Sequence, residues 1–127
     1  MTKKICKRKA DQEPEIVAKK GWRYHHIGIP TMVAKQGERH LANLKVHVSG
    51  FETSPYGIEW MRFDPDCPVP DLIRTVPHIA FEVDNLEEAL IGKTVLYDIS
   101  SPSEGVRTAM IVDEGAPVEL IEFRKNA

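Results

Sequence analysis

Two histidines and two glutamates recur at matching places in the chain. Tyr24-His25-His26-Ile27-Gly28-Ile29 is echoed by Val76-Pro77-His78-Ile79-Ala80-Phe81, and Tyr56-Gly57-Ile58-Glu59-Trp60 by Ala116-Pro117-Val118-Glu119-Leu120. The histidines lie 52 positions apart and the glutamates 60. Imidazole nitrogen and carboxylate oxygen are ligands for borderline divalent ions. A self-similar pair of modules, each with one early histidine and one late glutamate, therefore predicts a single metal site where the halves meet.

Strands must carry these side chains, and alternation along a strand decides which can meet. His26 shares a face with Gly28, and His78 with Ala80, while Ile27, Ile29, Ile79, Phe81 and Val83 take the opposite faces. Glu59 shares a face with Met61 and Phe63, and Glu119 with Ile121 and Phe123. A carboxylate among apolar neighbours is costly unless a cation or donor compensates it. His25 and Glu122 are decoys on the other faces and reach no shared site if the strands are regular. His40 and His47 have no partner pattern and read as surface or loop residues. Asp64 and Asp66 flank prolines and read as turn formers.

The first half reads as strands at Tyr24–Ile29, Leu44–Phe51 and Gly57–Phe63, with a helix-compatible stretch from Met32 to Asn43. Asp64 to Pro70, holding three prolines, connects the halves. The second half reads as a strand at His78–Val83, a short helix at Leu86–Leu90 capped by Asp84-Asn85, and strands at Thr94–Asp98, Arg107–Val112 and Pro117–Phe123. Ser100–Gly105 and Asp113–Gly115 read as the loops between them. The first half is then a shortened version, lacking one strand and its helix.

With 127 residues, 42% apolar and 28% charged, the composition is that of one soluble globular domain. Residues 1–20 carry a balance of +4 and the remainder −6. Residues 1–21 are expected to form a basic arm with a short helix within Glu13–Lys20, where Ile16 and Val17 can dock. The arm is short and free of aromatics until Trp22, so nucleic acid is not expected as a partner. No apolar run suits a membrane span or a secretory signal. Cys6 and Cys67 form no CxxC pair, which suggests a reducing, cytoplasmic setting.

His26-Ile27-Gly28-Ile29, Ile58-Glu59, His78 to Asp84 and Val118 to Glu122 together resemble the vicinal oxygen chelate superfamily, which includes glyoxalase I, methylmalonyl-CoA epimerase, extradiol dioxygenases and bleomycin-resistance proteins. The resemblance spans residues 23–124. It implies an α+β fold of paired βαβββ modules forming an open curved sheet, with module one at 22–66 shortened and module two at 75–124, in one glyoxalase-like domain over 22–127. It implies metal ligands at His26, Glu59, His78 and Glu119. Glyoxalase I enzymes resemble this His/Glu/His/Glu set, whereas epimerases typically carry glutamine at the place of Glu59.

The implied activity is that of a metal-dependent lyase or isomerase. Proton transfer would pass through a metal-bound enediolate on a small oxygen-rich or thioester substrate, with Glu59 and Glu119 as catalytic carboxylates. The ion would be Zn, Ni, Co, Mn or Fe. The alternative is a metal-free small-molecule-binding protein of bleomycin-resistance type. A homodimer is expected, because a shortened module exposes sheet edge.

Overall fold

The computed structural model describes residues 5–124; residues 1–4 of the expected arm and residues 125–127 at the end of the expected domain lie outside the described residues. After a helical turn at Ala10–Gln12, the elements are α1 (Glu15–Ala18), β1 (Arg23–Pro30), β2 (Arg39–Leu41), β3 (Val46–Ser49), β4 (Ile58–Phe63), α2 (Asp71–Thr75), β5 (His78–Glu82), α3 (Leu86–Ala89), β6 (Val95–Ser103), β7 (Val106–Asp113) and β8 (Ala116–Phe123). The strands form one eight-stranded sheet in the order β2-β3-β4-β1-β5-β8-β7-β6. It curls into an open cup, the α+β architecture that the resemblance implies.

The strand order mirrors itself about the β1–β5 junction. β1 pairs in parallel with β4, β5 pairs in parallel with β8, and β1 and β5 run antiparallel. Each module therefore places its first and last strands side by side, next to the other module. That arrangement brings one early histidine and one late glutamate from each half to the middle of the sheet.

The outer face of module two holds the main core, in which Phe81, Val83, Leu86, Ala109, Ile111 and Leu120 pack together with Ile16 and Trp22 against them. Ile16 on α1 thus docks as its apolar character predicts, while Val17 stays exposed. α3 begins at Asn85, whose side-chain oxygen accepts from Glu88 N–H at 2.9 Å. Buried Glu122 accepts from Leu86 N–H at 2.8 Å and from Arg107 at 2.9 Å, tying the helix to β8 and β7.

Four sequence expectations are corrected. Module one does not lack a strand: Arg39–Leu41 is β2, paired antiparallel with β3. Met32–Asn43 is not a helix but a loop followed by that strand, so the missing element is the helix alone. The link between modules extends into α2, whose Ile73 is buried. Ser100–Ser103 continues β6 rather than forming a loop, because β6 is an edge strand where Pro102 needs no ladder bond. The turn from β7 to β8 has both Glu114 (φ 48°) and Gly115 (φ 80°) in the left-handed region, as a tight hairpin turn requires.

Candidate metal centre

Strand register builds the centre. Across β1 and β5, His26 lies opposite Ala80 and Gly28 opposite His78. Glu59 on β4 pairs with Gly28, and Glu119 on β8 pairs with Ala80. Each histidine therefore faces a small residue that leaves room for its ring. At Gly28 that room is indispensable, because a Cβ there would stand 2.1 Å from His78 Cε1.

His26, His78 and Glu119 converge, with one ligating atom from each lying within 4.8 Å of the others. Glu119 Oε1 is 3.3 Å from His26 Nε2 and 3.4 Å from His78 Nε2. Glu59 Oε1 stands 3.7 Å from His26 Nε2, outside this tight trio. The two imidazoles meet edge to face, with centroids 5.5 Å apart.

The trio fits a cation. Both histidines are buried, yet His26 Nε2 and both nitrogens of His78 have no hydrogen-bond partner. A buried polar atom left unpartnered costs about 1–3 kcal/mol, and a bound ion removes that cost. Two imidazoles and a carboxylate are a suitable donor set for a borderline divalent metal.

The carboxylates are driven in opposite directions. Burial pushes Glu59 up from the usual carboxylate range. Burial pushes Glu119 up as well, but the two imidazoles beside it outweigh that and hold it well below the range.

His25 is the residue at the centre that strand alternation misses. The pairing of β1 with β5 shifts register between Tyr24 and His26. There His25 Nδ1 comes within 2.7 Å of His26 Nδ1, and its ring stacks on Phe51 at 4.9 Å. Burial and the adjacent His26 lower the His25 pKa, which favours the neutral ring as an acceptor. With His26 Nδ1–H donating to it, His26 Nε2 presents its lone pair to the centre. Glu122 stays away from the centre, bonded to Leu86 and Arg107.

A cavity of about 240 Å³ opens beside His78 and Glu119, with mostly apolar walls that include Val46, Met61, Phe63, Ile73 and Met110. The linker closes part of it through Pro68, Val69 and Ile73.

No protein-family model matches the chain, and no curated protein matches it. Solved structures do. A hypothetical protein from Bacillus halodurans C-125 is similar with a TM-score of 0.57 at 18% identity, over 84% of this chain and 97% of that one. Methylmalonyl-CoA epimerase from Mycobacterium tuberculosis is similar with a TM-score of 0.50 at 15% identity, over 82% of this chain and 88% of that one. At these identities the likeness shows the fold alone, an open cup of paired modules. No helix among the described residues is long and apolar enough to cross a membrane.

Proposed function

We propose that the protein is a metal-dependent isomerase or lyase acting on a small substrate with adjacent oxygens or a thioester. The carrying observation is the trio of His26, His78 and Glu119, with its unpartnered buried nitrogens, which borders the apolar cavity through His78 and Glu119. His26, His78 and Glu119 would hold the ion, and Glu59 would support it from the module-one side. A bound divalent ion would supply Lewis acidity to the substrate oxygens. Of the two glutamates, Glu119 borders the cavity, and we assign it the proton transfer: its Oε1 faces the two imidazoles, and its other oxygen takes the proton from the carbon beside the substrate oxygens and returns it. The apolar walls would receive the remainder of the substrate and keep water from the exchanging carbon. The likeness to methylmalonyl-CoA epimerase supports this reading at the level of fold.

The test is exchange of an α-proton with deuterated solvent, run on a panel of small hydroxy acids, keto acids and acyl thioesters with metal-loaded protein. Glu119→Gln keeps a coordinating oxygen and removes the proton acceptor, so exchange should fall by about 10²–10⁴-fold with metal still bound. Glu59→Gln, which restores the ligand type found in epimerases, should be the milder change. Unchanged exchange in Glu119→Gln would place the base elsewhere. Protein that takes up no metal yet binds apolar ligands in the cavity would instead support the metal-free binding reading.

A further inference from the structure

We propose a second metal site, independent of the first, formed by His40, His47 and Asp64 on the opposite face of module one. Alternation along β3 sets its location. Val46 lines the cavity, and Val46 and Val48 are buried, so His47 between them points to the other side of the sheet. Its cross-strand partner on β2 is His40, and the two rings stack with centroids 4.1 Å apart and planes 16° from parallel. Both therefore lie on paired strands and not in loops; His40 is exposed, as a surface residue should be, while His47 is half-buried.

Asp64, just past the end of β4, offers one oxygen to each ring. Oδ2 lies 2.7 Å from His40 Nε2, and Oδ1 lies 3.3 Å from His47 Nδ1. The three ligating atoms all fall within 4.8 Å of one another. The backbone fixes Asp64, whose N–H donates to Lys45 C=O at 2.9 Å and whose C=O accepts from Cys67 N–H at 3.0 Å. Nearby cations are already engaged, Arg62 with Glu38 at 2.7 Å and Lys45 with Asp66 at 2.6 Å. The Asp64 carboxylate is thus left to the two imidazoles.

Hydrogen bonding alone satisfies this cluster poorly. His47 Nδ1 is buried and has no hydrogen-bond partner despite the carboxylate nearby. His40 Nε2 already pairs with Asp64 Oδ2 at 2.7 Å, so the unmet need lies at His47. A divalent ion would meet that need by taking a lone pair from His47 Nδ1, from His40 Nε2 and from the carboxylate. An N₂O set suits zinc, copper or nickel, with nitrogen and oxygen ligands at about 2.0–2.2 Å. Two parallel rings cannot both hold one ion in their planes, so binding must turn the more exposed ring, His40, out of the stack. The ion would clamp β2, an edge strand of only three residues, to β3 and the end of β4. Module two stiffens its own outer face with α3; module one has no such helix.

The probe is zinc at neutral pH. Long-range ¹H–¹⁵N spectra of the wild-type protein resolve the sites by residue. The expected result is that zinc shifts the ring nitrogens of His40 and His47. A titration by calorimetry of the His26→Ala/His78→Ala variant should still show one equivalent bound. Adding Asp64→Asn or His47→Ala to that background should weaken the remaining binding by at least about 10–100-fold. Ring nitrogens of His40 and His47 that stay unmoved with zinc in large excess would overturn the proposal, and so would wild-type affinity in the Asp64→Asn background. The spectra read the outer site in wild-type protein, so its failure is separable from failure of the central trio or of the double variant's folding.

Discussion

The geometry of the trio depends on residues outside it. Gly28 is the clearest case, because the His78 ring occupies the space where any other residue would put its Cβ. His25 is the second, through its contact at 2.7 Å with His26 Nδ1. Groups that orient a metal-ligating histidine typically contribute 10–100-fold to metal affinity. His25→Phe keeps an aromatic ring against Phe51 and removes the nitrogen, so metal affinity should fall by about that factor, and the loss of a partner for buried His26 Nδ1 should cost about 1–3 kcal/mol of stability. Calorimetric titration paired with a melting curve checks this. Unaltered affinity would mean that His25 serves only to pack. The histidines and glutamates themselves were legible in the sequence, because duplication marks them twice. The role of His25 was not, because it arises from a register shift in β1 that strict alternation cannot represent.

At the scale of elements, legibility followed the length and regularity of the signal. β4, β5, β7 and β8 run for five to eight residues rich in apolar and β-branched types, and the sequence places them within a residue or two. β2 has three residues, Arg-His-Leu, too few to show a period; its pairing with β3 comes from tertiary structure. α2 has five residues between prolines, and only burial of Ile73 gives it a reason to form.

The two modules also hold their outer faces differently, which sets an acid response. Arg107 grips Glu87 at 2.6 and 2.7 Å, and Arg62 grips Glu38 at 3.0 and 2.7 Å. Each arginine holds its glutamate at about 2, against an ordinary 4.5. A carboxyl depressed on folding adds stability that is complete above its unfolded value and is lost as pH falls toward the folded one. The melting temperature should therefore drop between about pH 4.5 and pH 2. In the Glu87→Gln/Glu38→Gln variant that drop should be shallower, and added salt should weaken it in the wild type, because the pairs are reached by solvent. An identical pH slope in the variant would remove these two pairs as its source.

At the scale of the whole molecule, the mirrored strand order leaves two open edges, β2 and β6, and one module without a covering helix. The loop that stands in place of that helix is ordered by its own bonds: Val33 N–H donates to Thr31 Oγ1 at 3.1 Å, and Lys35 N–H to Glu38 at 3.1 Å. It nevertheless presents Met32 at 96% exposure and Val33 at 65%. Adjacent apolar side chains held outward on an ordered loop beside an uncovered sheet are what a subunit contact uses. We propose a homodimer in which this loop of module one is covered by the second copy. Burying a Met or Val side chain contributes about 1.5–3 kcal/mol, and 1.4 kcal/mol is tenfold in affinity. Met32→Lys/Val33→Lys should thus raise the dimer dissociation constant by at least about 100-fold, read by light scattering across a dilution series. The central trio belongs wholly to one chain, so the monomerised variant should take up zinc at the trio as the wild type does. A wild-type protein that scatters as a monomer at tens of micromolar would end the proposal, and a variant as dimeric as wild type would move the contact to another face.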